Sequence, residues 1–329
     1  MSSATVGVSL LSRPLVRLVS VRLLWSVLVL WAVSILIFFA TQGLPGDAAQ
    51  AILGRDATPE RLAALRQQLN LELPVWQQYA EWLRGILTLD LGTSLSNGLV
   101  VTDYVGERIG HTMMLVLIAT LLAVPASIAL GTVAGYKRGS VSDRTISGTS
   151  LIVASLPEFV IGSILILLFA TGFLKILPAT SLRPSLISGF EGFVAYLLPA
   201  LTLALAVSPY IVRMVRATLG ELLASEFIQY ARLSGASERR VLRVHAFRNG
   251  VGSVAQVVAL QLAYLAGGVV VVEYLFAFPG LGTALVEAVA NRDLPVVQAI
   301  CLFLAGFYVL VNLAADIVTA ATTPRVTHP

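Results

Sequence analysis

Most of the usual chemistry of proteins is scarce in this chain. Cys301 is the single cysteine among 329 residues and sits inside an apolar run, which excludes a disulfide framework and a cysteine-based metal site. The three histidines, His111, His245 and His328, fall in different segments, so no imidazole cluster is expected to hold a metal. Lysine is almost missing: Lys137 and Lys175 are the only two, and the other 20 basic residues are arginines. A phosphate-binding GxxxxGK[ST] loop needs a lysine at a fixed distance from its glycines, and the nearest approach, GTVAGYK at 131–137, fails that spacing. No nucleotide or other cofactor is therefore expected in this chain. Charge itself is sparse, at 12% of residues against about 25% in an ordinary soluble domain. The net charge of +4 is not gathered into a basic patch with interleaved aromatics, so nucleic acid is not an expected partner.

What the chain has instead is length without charge. Hydrophobic residues make up 57% of it, and six segments approach the ~20 apolar residues needed to cross a hydrocarbon core: 23–42, 113–135, 147–174, 194–212, 249–272 and 294–315. These runs are apolar all round, where helices of a soluble bundle show one-sided stripes. The first run is longer than the 7–15 residues of a secretory signal core and is expected to be a retained helix. Pro125, Pro157, Pro199, Pro209 and the pair Gly267–Gly268 fall within the spans; each alone fits simple kinking or close packing, and together they suggest helices that bend or move. No internal repeat is evident.

Orientation follows from the arginines, because short cytoplasmic loops collect Lys and Arg. Fourteen of the 22 basic residues fall in the N-terminal tail, the 136–146 loop, the 213–248 loop and the C-terminal tail. The other side holds eight, five of them in 43–111, where eight acidic residues outnumber them. Both termini and the 213–248 loop are thereby assigned to the cytoplasm. The expected division is a cytoplasmic tail over 1–22, a first transmembrane helix over 23–42, an external subdomain over 43–111, a five-helix core over 112–318 and a cytoplasmic tail over 319–329.

The external segment carries helical signals of its own. Thr58-Pro59-Glu60 reads as an N-cap, a first-turn proline and a dipole-matched acid, leading into Leu62, Leu65 and Leu69. Pro74 opens a second piece with Trp76, Tyr79, Leu83, Ile86 and Leu87 on one stripe that must be covered.

Residues 213–248 form the charged insert. Leu219, Leu222, Leu223, Phe227 and Tyr230 read as one face of an amphipathic helix continuing out of the fourth span. Gly235 can adopt a backbone conformation that other residues resist, and Ser237 can cap a following helix. Beyond it, Val241, Leu242 and His245 share a face among arginines. A short helix bent across the foot of the bundle is the expectation. It fits either a basic helix held by anionic lipid headgroups or an element that docks into a partner's cleft.

The order Tyr230-Ala231-Arg232, Gly235-Ala236-Ser237, Arg239-Arg240-Val241 and His245-Ala246-Phe247-Arg248-Asn249 resembles the EAA loop of bacterial ABC-importer permeases. The closest likeness is to the dipeptide/oligopeptide/nickel permease family, in its first-permease branch. LPGD at 44–47, LDLGTSL at 89–95, VVVEYLFAFPGLG at 270–282, NRDLPVVQA at 291–299 and TPRV at 323–326 extend the likeness over nearly the whole chain. Ser253 stands where the family usually has a proline, which predicts a straighter start to the fifth span.

The resemblance implies an all-α membrane protein with six transmembrane helices, a cytoplasmic EAA coupling loop and a small external helical subdomain, similar to type I ABC importer permeases. It implies a bacterial inner-membrane subunit that performs no chemistry alone. A second homologous permease, two ATPase subunits that bind ATP and Mg, and an external solute-binding protein would be its partners, with the lipid bilayer around it. Glu226, Tyr230, Ala231, Gly235, Ala236, Ser237, Glu238, Arg239 and His245 would make the ATPase-coupling surface. Di- or oligopeptides are the expected substrates, with nickel or another small solute as the alternative. An ATP-independent carrier or channel is the reading from another class, and the external segment fits a small subdomain lying over the membrane helices, a docking platform for the binding protein, or both.

Three acids lie in or near spans. A rise of 1.5 Å per residue puts Glu158 roughly 16 Å into the third span, where a carboxylate is costly and should face the bundle interior or water. Lining a passage and hydrogen-bonding a neighbouring helix both fit it. Glu273 and Asp316 lie near span ends, with structural roles expected and no partner evident.

The orientation yields a direct prediction. In a chain lacking Cys301, Leu65→Cys or Leu83→Cys should react with an impermeant thiol reagent in intact cells, and Arg239→Cys only after the membrane is opened. Labelling of position 239 from outside would reverse the orientation.

Overall fold

The computed structural model describes residues 13–42, 58–60, 63, 73–172, 174–182, 184 and 189–322. Four described helices are long and apolar enough to cross a membrane: α1 (Arg13–Gln42), α3 (Val101–Tyr136), α6 (Phe190–Ala224) and α11 (Leu294–Thr322). Two further spans are bent pairs. One joins α4 (Val141–Ala154) to α5 (Glu158–Ile166) at 103°, and the other is α9 (Phe247–Leu275), bent by 49° between Asn249–Leu265 and Gly267–Leu275. Counting each pair once gives the six spans expected. A short helix, α2 (Val75–Thr88), lies between α1 and α3, and α10 (Leu281–Ala290) between α9 and α11.

The sharp bend is local chemistry. Pro157 has no N–H to donate and disfavours helical backbone at the residue before it; it sits extended, at φ −61° and ψ 148°, as the N-cap of α5. Pro125 in α3, and Pro199 and Pro209 in α6, remain inside continuous helices. The break also corrects the depth of Glu158, since a count along a straight helix fails across a 103° turn. The fifth span bends near its middle, around Gly267, while its start at Ser253 runs on unbroken.

The core gathers Leu115 and Ala119 of α3, Ile161 of α5, Leu203 of α6, Val269 of α9, and Phe276, all buried. The contact of α3 with α6 is extensive and close. A Cβ added at Gly131 would come within 2.7 Å of Val215 Cβ, and one at Gly135 within 3.1 Å of the Arg216 carbonyl oxygen. The two glycines of GTVAGYK therefore let two backbones approach, as small residues four apart do between membrane helices. A second cluster joins the start of α3 to α10 and α11 through Val101, Val105, Leu281, Ala284, Val296 and Ile300.

In the segment before α3, Pro59 and Glu60 are helical, while Leu62, Leu65, Leu69 and the LPGD of 44–47 lie outside the described residues. α2 starts after Pro74 as expected. Its inward face is narrower than the periodicity suggested: Tyr79 and Trp82 pack on Phe38 of α1 at ring distances of 5.4 and 5.5 Å, and the Tyr79 hydroxyl bonds Ser34 Oγ at 2.8 Å. Trp76 and Leu87 point outward, 67% and 78% exposed.

Carboxylates tie the loops to the helix ends. Glu273 is fully buried; its Oε1 accepts from Thr112 Oγ1 at 2.7 Å and its Oε2 from the Gly282 N–H at 2.6 Å. Thr112 Oγ1 in turn accepts the Leu281 N–H at 2.9 Å. The FPGLG turn thus folds over Glu273, which has partners where none was evident in the sequence. Asp316 also has a partner, Arg22 of α1 at 2.8 Å. Asp293 accepts from Ser94 Oγ, from the Leu95 N–H at 3.1 Å and from Ser96 Oγ at 2.8 Å. LDLGTSL and NRDLP, nearly 200 residues apart, are therefore two sides of one junction.

Removing the hydroxyl of Thr112 should leave a buried carboxylate oxygen and a buried N–H short of a partner each. Thr112→Val is expected to cost about 1–3 kcal/mol, read as a lowered thermal midpoint of the purified protein in detergent. Thr120→Val is the control, because that hydroxyl bonds the Val116 carbonyl of its own helix. Equal midpoints for the two variants would remove Glu273 and Thr112 from the role given to them.

Candidate functional site

α6 does not run on into the insert. It stops at Ala224; Ser225 turns extended, at ψ 147°, and begins a separate helix, α7 (Glu226–Leu233). This break shifts the helical phase, so the stripe read through Leu219, Leu222, Leu223, Phe227 and Tyr230 does not continue. Leu219 is buried, but in α7 the buried residue is Ile228, at 0% exposure. Phe227 and Tyr230 face outward, with Leu233 beside them at 87% exposed.

The turn after α7 is built on Gly235. The Gly235 N–H reaches the Arg232 carbonyl at 3.0 Å and the Ala236 N–H the Ala231 carbonyl at 3.1 Å, the paired bonds of a helix end closed by a left-handed residue. Gly235 has φ +83°, which a side chain resists. Ser237 then stands as N-cap of α8 (Glu238–Arg240) in extended backbone, although its hydroxyl makes no capping bond. Arg232 and Glu238 close the turn with two hydrogen bonds, of 2.8 and 3.2 Å. A π-helical turn, Val241–Ala246, leads into α9, and Val241 is fully buried.

Ile228 and Val241 thus anchor the insert, and what faces out is apolar and basic. Phe227, Tyr230, Ala231, Ser234, Gly235, Ala236 and Arg240 line a shallow depression of about 360 Å³. Tyr230, Ala231, Gly235 and Ala236 were expected from the sequence; Phe227, Ser234 and Arg240 were not. Glu226 opens α7, Glu238 is held by Arg232, and Ser237 and Arg239 are exposed beside the depression without lining it. His245 lies on the π-helical turn; its side chain is outside the described set. Aromatic and arginine side chains around an exposed hollow are the groups that dominate protein interfaces.

A joint missed by sequence reading ties the insert-bearing helix to the bent span. Asp143 is buried at the start of α4. Arg216 of α6 grips it through Nε at 2.5 Å and a second guanidinium nitrogen at 2.9 Å, with the Gly139 N–H at 2.9 Å and Ser147 Oγ at 3.2 Å completing the shell. Asp143 sits three residues after its N-cap Ser140, the one sequence signal of a helix start. The cross-helix partner has no local signature. The pair thereby fastens α6 to the start of α4.

Glu158 is separate from the insert. It opens α5 at the break, half-buried, against Gly268 of α9, and lines a cavity of about 390 Å³ with Pro157, Phe159, Tyr264, Gly267 and Val271. No group of three or more His, Cys, Asp or Glu that could hold a metal occurs among the described residues.

Residues 127–328 match the family described as binding-protein-dependent transport system inner membrane component, and residues 15–116 the N-terminal family of the same membrane components. A Brucella abortus protein named as a peptide transport system permease is 37% identical over 307 residues, covering 93% of this chain and 98% of its own length. The glutathione transport system permease protein of Escherichia coli is 33% identical, covering 93% and 97%. Among solved structures, the MetNI methionine ABC transporter in inward-facing conformations contains a chain that superposes with a TM-score of 0.56 at 17% identity, over 67% of this chain and 96% of that one. That likeness speaks for the fold.

The Asp143–Arg216 joint generates its own test. Arg216→Ala should lower the thermal midpoint and uptake together, because it strands a buried carboxylate, whereas Arg216→Lys keeps the charge but loses the two-pronged grip and should fall between. The exchange Asp143→Arg with Arg216→Asp should recover part of the loss. Wild-type behaviour of Arg216→Ala would show that the joint carries no load.

Proposed function

Because this chain belongs to the family of binding-protein-dependent transport system inner membrane components, we propose that it forms half of the translocation pathway of an ATP-driven peptide importer and is driven through its 213–248 insert. As an ABC-importer permease subunit it is not catalytic alone; ATP hydrolysis belongs to a separate ATPase. The proposed complex pairs it with a second, homologous permease, with two ATPase subunits holding ATP and Mg, and with an external solute-binding protein. Both termini and the insert face the cytoplasm in this reading, in accord with the arginine distribution. The relatives' names favour peptides over nickel, since one names peptides and the other glutathione, itself a small peptide.

The observation that carries the coupling role is the outward apolar face of α7. Phe227, Tyr230 and Leu233 are exposed on an element whose own anchors, Ile228 and Val241, are fully buried. Such a rigidly seated projection can enter a cleft on the ATPase and follow it as nucleotide opens and closes the ATPase pair. The movement reaches the spans by two routes, α6 with its Asp143 joint and the π-helical turn into α9. Binding of ATP then shifts the permease between openings by differential affinity for two states.

Gly235 offers the test. A Cβ there meets nothing within 4 Å, so a substitution acts through backbone strain and not through crowding. Gly235→Asn, which tolerates the left-handed region, should retain most uptake. Gly235→Glu should retain little, and Gly235→Pro, which also removes the N–H bonded to Arg232, should abolish it, all with normal membrane insertion. The measurement is uptake and loaded-binding-protein-stimulated ATPase activity in the reconstituted complex; wild-type values for Gly235→Pro would sink the coupling assignment.

A further inference from the structure

The two broken spans meet at their breaks. α5 begins at Glu158, immediately after the 103° turn, and the second part of α9 begins at Gly267, after the 49° bend. A Cβ added at Gly268 would lie 2.6 and 2.7 Å from the two oxygens of Glu158; the carboxylate therefore rests on the backbone of the other break. Interrupted helices at membrane depth are tolerated where they line a cavity, and transporters place substrate groups at such discontinuities. Here a wide, open depression of about 390 Å³ is present.

Its chemistry is selective. Oε1 of Glu158 is buried without a hydrogen-bond partner, and no ion pair among the described residues includes Glu158. Tyr264 and Phe159 line the same wall as Glu158. The wall thus carries the carboxyl group of Glu158, a phenol, aromatic surface and, at Gly267, open space where a side chain would stand. A primary ammonium answers each: it is a small cation with three donors and no acceptor, it forms charge-assisted bonds with carboxylate, and it is attracted to aromatic faces. A divalent metal would need several more oxygen or nitrogen ligands. A guanidinium would present a wide planar fork to a carboxylate both of whose oxygens rest against Gly268.

We propose that Glu158, with Tyr264, forms a recognition point for the ammonium group of a transported peptide, at the junction of the two broken spans. This rests on the peptide-importer reading. The ammonium is either the peptide's amino terminus or a lysine side chain, and the carboxylate would replace part of the hydration the group loses on entering the membrane.

The test uses the complete importer in proteoliposomes, with saturating peptide-loaded binding protein whose retention of each peptide is titrated beforehand. Three probes are compared: an alanine peptide with a free amino terminus, its N-acetylated form, and an N-acetylated peptide containing lysine. Glu158→Gln should lower maximal uptake of the free-amine peptide roughly tenfold, the effect of one lost charge-assisted hydrogen bond, while loaded-binding-protein stimulation of the ATPase persists. Glu158→Asp should recover part of the rate. Uptake of the N-acetylated alanine peptide should be equal in wild type and variant, and the lysine probe reveals whether a side-chain ammonium uses the same point. Tyr264→Phe, which leaves the carboxylate in place, should give a smaller loss confined to the ammonium-bearing probes and serves if Glu158→Gln does not assemble. Normal uptake of the free-amine peptide by Glu158→Gln, or an equal loss for charged and acetylated probes, overturns the ammonium site and leaves the importer reading standing. Failure of the wild-type complex to take up any of the peptides overturns the importer reading itself.

Discussion

Inside hydrocarbon there is no water to satisfy a free N–H or C=O, so every backbone polar group in this chain must find its partner within the protein. The long helices meet that demand by themselves. Where a helix stops short, something must take over, and the places where it does so are where the molecule becomes specific. Pro157 interrupts the third span, and the backbone bonds on either side of it close within their own short turns, leaving Glu158 at the break. The FPGLG turn leaves the fifth span and is gathered onto Glu273 and Thr112.

The same logic explains why the few carboxylates matter more than their number suggests. Asp143, Glu273 and Asp293 are all buried, and each accepts bonds from a different part of the chain. A buried charge without partners is expensive, so each acid fixes the geometry of the groups around it. Asp293 holds the loop after α2 to the turn before α11, Glu273 holds the turn after α9 to α3, and Asp143 holds α4 to α6. Between these joints the contacts are apolar and small, as at Gly131 and Gly135, where the two backbones lie close together.

The insert combines the two kinds of contact. Its buried side is two aliphatic residues, Ile228 and Val241, and its turn is held by backbone bonds around Gly235 and by the exposed pair Arg232 and Glu238. Exposed ion pairs contribute little stability; the turn depends more on the glycine. The result is a firm projection with an apolar, arginine-edged face, joined to α6 on one side and α9 on the other.

The number and position of the spans, the placement of the insert and its break at Gly235 were legible in the sequence, because hydrophobic length and left-handed turns are local properties. The family likeness was legible for the same reason, in short ordered motifs. The facing of Phe227 and Tyr230 was not, since a single break at Ser225 rotates the helix that follows and periodicity cannot be counted across it. Neither were the partners of Asp143, Glu273 and Asp293, which come from segments up to 199 residues away. Glu158 marks the boundary between the two: its presence in an apolar span was plain from the sequence, but its place was decided by the meeting of two bent helices, because only tertiary packing brings the break at Pro157 against the backbone of Gly268.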